Sequence, residues 1–306
     1  MRRFSISIYE LVKQTTSEWI DQDVSRLGAG LAFYTLFAIA PLFVIVLAIA
    51  GFWFGAEAAR HELFSQVSGL VGSEGGEAIQ ALVSAAHKPK TGAWATVIAV
   101  ATLFVGATGV FVQLQDALNS VWGVRRVPGR GLRNFMKDRL LSFALIVGIG
   151  FLLLVSLILS AGLSALGKFM AGLLPAQETI WHGINFVVSF GVITLLFAMI
   201  FKVLPDVKIA WRDVWIGAVI TAFLFNLGKL LLGFYLGRSS VASAYGAAGS
   251  LVLVLLWVYY SAQILFFGAK FTQVYSNRYG SHLEPVPGAE VVTLKEMFSE
   301  QRRPVV

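Results

Sequence analysis

Six apolar runs, at 31–55, 94–112, 141–167, 180–201, 211–236 and 247–271, constrain this chain more than any other feature. A helix rises ~1.5 Å per residue, so about 20 residues cross a hydrocarbon core, and each run approaches or exceeds that length. The expected fold class is an all-α membrane protein: a bundle of six transmembrane helices with an N-terminal amphipathic interfacial helix and a helical first external loop. The spans and their loops consume most of the 306 residues, 57% of them hydrophobic and 13% charged, leaving no room for a separate large soluble domain. The expected organisation is an amphipathic segment over 1–30, a six-span domain over 31–275 with its external loop at about 56–93, and a poorly ordered tail over 276–306.

The positive charge is sorted by side. Of the 24 Lys and Arg residues, 18 fall on the N-terminus, the second and fourth loops and the C-terminal tail. Five fall on the opposite side, and Lys229 lies inside the fifth run. The positive-inside rule then places both termini in the cytoplasm. The net charge of +7 is thus a consequence of topology. Anionic lipid headgroups on the cytoplasmic side are the expected partners, and nucleic acid is not. Cysteine is absent, which removes disulfides, thiolate metal sites and a cysteine nucleophile. The first 30 residues are polar or amphipathic and the first apolar run is too long for a signal-peptide core, so that run is expected to be an uncleaved span.

Between positions 4 and 20, Phe4, Ile8, Leu11, Val12, Thr15, Trp19 and Ile20 recur at helical spacing. This segment either rests in the membrane interface or packs beneath the bundle. Pro41, deep in the first run, is expected to kink it. The external loop should form two short helices over 57–71 and 76–86 on the outer surface, separated by the glycine-rich 72–76. Short loops make spans 3 and 4, and spans 5 and 6, antiparallel neighbours. The pairs Gly51/Gly55 and Gly233/Gly237 have the four-residue spacing that lets helices approach closely.

Three segments carry a family resemblance. The first runs from Arg26 through Phe33-Tyr34 to Pro41. The second is Ala117-Leu118-Asn119-Ser120-Val121-Trp122-Gly123-Val124. The third joins Tyr245-Gly246-Ala247-Ala248-Gly249 to Leu256-Trp257, Tyr259-Tyr260, Gln263 and Gly268-Ala269. Together with Leu204-Pro205 and Gly217-Ala218, they resemble the YihY/virulence factor BrkB family of bacterial inner-membrane proteins over about residues 25–275. The resemblance implies six spans with cytoplasmic termini. It implies no established activity and no catalytic or ligand residues, and the label ribonuclease BN once attached to such proteins is regarded as a misannotation.

An enzyme is not expected. His61, His87, His182 and His282 are scattered, with no metal-ligand spacing among them, and no phosphate-binding loop, nucleophile elbow or dinucleotide fingerprint is present. No cofactor is implied. The polar groups in or beside the spans are the candidates. If the second helix continues past Val112, Gln113, Asp116 and Ser120 share one face, Gln115 and Asn119 lie beside it, and Arg125 and Arg126 complete a polar mouth. Capping of the helix end is the bland reading, and the one preferred for Gln115. Asn226 and Lys229 share a face of the fifth span, where the lysine either snorkels to the surface or holds an anionic group. On the sixth span Tyr260 and Gln263 share a face with Phe267 and Lys270, as an amphiphile-lining stripe or, preferably, a packed face ending in a cytoplasmic lysine. Arg26 and Arg139, with Arg125 and Arg126, are candidate contacts for anionic headgroups. The expectation is a transporter or translocase for a lipid or other amphiphilic or anionic envelope component. The alternatives are a non-transporting scaffold and an ion or small-solute carrier.

Overall fold

The computed structural model of the protein describes residues 2–71, 73–86, 109–127, 177–238 and 249–292. In chain order these form α1 (Arg2–Asp21), α2 (Val24–Phe54), α3 (Ala56–Val71), α4 (Ser73–Ala86), α5 over 109–122, strand β1 (Val124–Arg126), α6 (Gln177–Val203), β2 (Val207–Lys208), α7 (Trp211–Arg238), α8 (Gly249–Tyr279), β3 (Glu284–Pro285) and β4 (Ala289–Val291). Within them, Phe186–Val203, Trp211–Tyr235 and Leu251–Tyr279 are long and apolar enough to cross a membrane, and Val24–Ile39 is a shorter apolar stretch. The run at 141–167 and most of that at 94–112 lie outside the described residues. α2 continues through Pro41 as one helix of 31 residues.

The main core joins five helices. Ala117, Leu118, Val121 and Trp122 of α5 pack with Phe197 and Phe201 of α6, Val214 and Ala218 of α7, Phe266 and Ala269 of α8, and Val24 and Leu31 of α2. Small residues let α7 and α8 approach closely. A Cβ on Gly217 would lie 1.7 Å from Thr272 Oγ1, and one on Gly268 would lie 1.9 Å from Thr221 Oγ1. Each threonine turns its hydroxyl back onto its own helix, Thr221 to the Gly217 carbonyl and Thr272 to the Gly268 carbonyl, both at 2.7 Å. The seam is therefore a reciprocal Gly-x-x-x-Thr match between antiparallel helices, as the short connection predicts. The glycine pairs singled out by spacing alone are not part of it: Gly233 faces open space, and Gly55 ends α2 with φ 83°.

α1 packs one face against the bundle and leaves another exposed. Leu11 and Thr15 are buried, with Leu11 against Phe271 and Val274 of α8, while Tyr9, Val12 and Ile20 on another face are exposed. The two helices expected in the 56–93 loop are present, but α4 begins at Ser73 and takes in Gly75 and Gly76. They do not simply lie on the surface. Phe64 of α3 and Ala78, Ile79 and Val83 of α4 bury against Ile39 of α2 and Leu253 and Val254 of α8.

The residues after the last span differ most from expectation. Over 276–292, the described part of the expected loose tail, α8 continues to Tyr279 and the chain then supplies a strand to each of two small antiparallel ladders, while 293–306 lies outside the described residues. β3 pairs with β2, Val207 opposite Pro285 and Lys208 opposite Glu284. β4 pairs with β1, Val124 opposite Val291 and Arg125 opposite Glu290. The proline is tolerated because a two-strand ladder is all edge and its missing N–H costs no interior bond.

Candidate functional site

The α5 helix continues past Val112 to Trp122, then stops at Gly123, whose φ of 69° is a left-handed conformation glycine adopts without strain. A helix end leaves its last carbonyls without intrahelical donors. Here α8 supplies the donors. Lys270 Nζ reaches the Val121 carbonyl at 3.4 Å, and Gln273 Nε2 reaches that of Trp122 at 3.1 Å. The ammonium has three hydrogens, and its other acceptors are Gln273 Oε1 at 2.5 Å and Glu18 Oε2 of α1 at 2.8 Å. Lys270 is 1% exposed and Glu18 29%. A buried cation is costly to leave uncompensated, and this one has a carboxylate, an amide oxygen and the negative end of a helix around it.

One turn earlier, Asn119 grips the α6–α7 connection. Its Nδ2 donates to Asp206 Oδ2 at 2.7 Å, and the Asp206 backbone N–H returns a bond to Asn119 Oδ1 at 2.8 Å. Arg126 Nε of β1 donates to the same carboxylate oxygen at 2.6 Å. Gln115 Nε2 donates to the Leu204 carbonyl at 2.9 Å, so it ties two elements together instead of capping its own helix. At the start of α7, Asp213 accepts from Ser276 Oγ at 3.0 Å, Ser281 N at 2.9 Å and Ser281 Oγ at 3.0 Å. Lys202 donates to the Ile209 carbonyl and lies 5.6 Å from the centre of the Trp211 ring.

The residues singled out in the sequence divide among several places. Asn119 and Arg126 meet at Asp206, and Asp116 is exposed on α5 one turn before Asn119. Arg125 pairs with Glu290 across the β1–β4 ladder at 2.9 Å, and Arg26 lies 3.5 Å from Asp23, both on the surface. Arg139 lies outside the described residues. Gln263 Nε2 faces the Ser25 carbonyl at 3.3 Å and closes over Gly28, where a Cβ would come within 2.1 Å of it. Lys229 and Tyr260 line one narrow crevice between α7 and α8 with Phe225, Trp257, Ser261 and Ile264. Asn226, one turn before Lys229, donates at 2.8 Å to the Ala222 carbonyl of its own helix. Asp116, Gln263 and the Lys229–Tyr260 pair thus have separate surroundings. Glu18, Asp206, Asp213 and Gln273 were not anticipated, and Lys270 was placed at the water boundary. The one sequence signal for Asp206 is its position after Leu204-Pro205, within the resemblance.

Three comparisons bear on what this arrangement belongs to. No solved structure matches the chain. A UPF0761 membrane protein of Pseudomonas aeruginosa is 28% identical over 271 residues, covering 85% of this chain and 61% of the relative. One from Teredinibacter turnerae is 24% identical, covering 94% and 65%, and one from Tolumonas auensis is 26% identical, covering 89% and 84%. The chain thus spans under two thirds of the length of the first two. The Virulence factor BrkB family model matches residues 15–292, further at both ends than the 25–275 of the resemblance. The added ends include Glu18, Ser276 and strands β3 and β4, so the match takes in contacts around the end of α5 as well as the spans; the chain is a membrane protein of the virulence factor BrkB family.

Proposed function

We propose that the protein is a translocase for an amphiphilic or anionic envelope component such as a lipid, not an enzyme, and that it lies in the bacterial inner membrane with both termini in the cytoplasm. The observation that carries this reading is Lys229. An ionisable side chain within a membrane-crossing helix is costly and marks a functional path by default. Lys229 sits in a crevice with Trp257 and Tyr260, while Leu227, Leu230, Leu231 and Phe234 around it on α7 are exposed as a lipid-facing surface would be. An ammonium beside aromatic rings at the edge of an apolar surface suits an anionic headgroup whose chains stay in the bilayer. The exposed Arg26 and Arg125 would attract the same headgroups at the other end of the route.

The test is lipid flipping in proteoliposomes, read as loss of the protection that the inner leaflet gives a fluorescent phospholipid against an external quencher. Wild-type protein should exceed empty vesicles, and Lys229→Gln should slow it several-fold without altering detergent-solubilised stability. Wild-type activity equal to that of empty vesicles, from folded protein, would defeat the reading.

A second reading, a non-transporting scaffold, draws on the cluster at the end of α5. There Asn119, Gln115, Asp206, Lys270 and Gln273 all engage in internal bonds, as in a fixed framework. Co-purification separates the two: a stoichiometric partner lost on replacing 56–93, with Lys229→Gln silent, favours the scaffold.

A further inference from the structure

We infer that α7 and α8 form a lateral gate: their seam is pinned at the Asp213 end and parts beyond Gly228, with α7 from Lys229 to Tyr235 as the moving arm. This deepens the reading of the Lys229 crevice as a transport site by naming the motion that opens it. The purpose of the motion rests on that reading; the motion itself does not.

The two halves of the seam are built differently. Antiparallel packing sets Asp213 against Ser276 and Gly280, Gly217 against Thr272, Thr221 against Gly268, and Gly228 against Tyr260 and Ile264. In the first half Asp213, Val214, Gly217, Ala218, Thr221 and Ala222 are all buried. Asp213 also holds Ser276 and Ser281 of the opposite strand of chain by three hydrogen bonds at 2.9–3.0 Å. In the second half Gly228 is the last buried residue, and none from Lys229 to Tyr235 is buried. Leu230, Leu231, Phe234 and Tyr235 are 58–69% exposed, and a Cβ on Gly233 would meet no atom within 4 Å. A stretch with so few buried contacts is where local opening costs least.

The facing part of α8 does not share this freedom. Its Leu253 and Val254 bury in a separate cluster with Phe64 of α3, Ile79 and Val83 of α4 and Ile39 of α2. α8 is thus a post braced by the α3–α4 hairpin, and α7 is the arm that can leave it. Gly228 is the latch. A Cβ there would lie 2.6 Å from Tyr260 Cε1 and 2.7 Å from Ile264 Cδ1, so the missing side chain is what lets the tyrosine ring lie against the α7 backbone. Phe225 marks the changeover between the halves, its ring 5.6 Å from that of Phe197 on α6 and 6.0 Å from that of Trp257 on α8. Parting of the arm uncovers the crevice lined by Lys229, Leu232, Trp257 and Ser261. An opening in the flank of an apolar bundle admits its ligand sideways, with the chain left in hydrocarbon, which suits an amphiphile better than a hydrated ion.

The chain contains no cysteine, so pairs introduced for spin labelling carry no background. One pair, Leu231→Cys with Leu256→Cys, spans the parting half at exposed positions; the other, Trp215→Cys with Asn277→Cys, spans the pinned end. Electron–electron distance measurements on the full chain in lipid nanodiscs should give the first pair a main distance with a longer minority, and the second pair one narrow distance. Gly228→Ala must push the tyrosine ring off α7, and Tyr260→Ala removes the ring without inserting anything. Each should raise the longer minority several-fold while the second pair stays narrow. No rise of the longer component in either variant overturns the gate, and equal broadening of both pairs overturns the pinned end. A rise of the longer component in a protein that flips no lipid would defeat the translocase reading and leave the gate standing.

Discussion

Lys270 of α8 and Glu18 of α1 meet at 2.8 Å, with the lysine withdrawn from solvent and the carboxylate only part-exposed. The pair joins the N-terminal helix to the last span, and the two members are not equivalent. Removing Glu18 strands a cation in the interior. Removing Lys270 leaves a carboxylate that can still reach water. Glu18→Ala should therefore cost about 3 kcal/mol and Lys270→Met distinctly less, measured by thermal unfolding in detergent. Equal melting of Glu18→Ala and wild type would show that the pair holds nothing.

The same pair gives a pH dependence. Burial raises the Glu18 pKa, but hydrogen bonds from Lys270 and Gln14 and the lysine's charge outweigh it, and the net position lies below the ordinary value of 4.5. A carboxylate held lower in the folded state than in the unfolded one contributes stability above its unfolded pKa and loses it as pH falls through the folded value. Attachment of α1 should be insensitive to pH between 6 and 8, a span taken as roughly neutral, and should weaken only below about 4.5. Protease access to α1 across an acid titration checks this, and Glu18→Gln should flatten the profile.

At the α7–α8 seam, Gly217→Ala and Gly268→Ala must each displace a threonine whose hydroxyl is already bonded to its own helix. Each should cost about 1–3 kcal/mol as overpacking. Gly233→Ala, with no atom within 4 Å of the added methyl, serves as the comparison and should be neutral or slightly stabilising. If all three variants melt together, the close seam is not where the helices are held.

Asn119 both donates to and accepts from Asp206. Asn119→Leu should cost about 1–3 kcal/mol by leaving the buried Asp206 N–H and carboxylate short of partners. Asn119→Asp should be worse, because it sets two carboxylates at hydrogen-bond distance. Chemical denaturation of the two variants ranks them, and the reverse order would refute this account.

The spans α6, α7 and α8 were legible because crossing a membrane is a matter of length and apolarity, which a sequence displays directly. The α3–α4 hairpin was legible from periodicity, but its burial against Ile39 and Val254 was not, since periodicity does not say what covers a face. Lys270 was read as a lysine at the water boundary because nothing near it in the chain announces Glu18, which comes from the opposite end. The tail after Ser276 looked loose because strands of two and three residues show no alternation, and Pro285 argues against a strand until the partner is known to be an edge. Asn119 was singled out, yet its partner Asp206 lay hidden in what read as a simple turn after Pro205. Gly217 and Gly268 stand out in the sequence only as part of the resemblance, because their packing role depends on the threonines facing them.

Both small ladders take their second strand from residues beyond Tyr279. During synthesis the segment at 124–126 and the connection at 207–208 are therefore made long before the strands that complete them. Their backbone groups must wait in water or on transient neighbours until the ribosome has passed Val291. This end of the protein closes last, as a zip drawn by its final stretch after the helices are already in place.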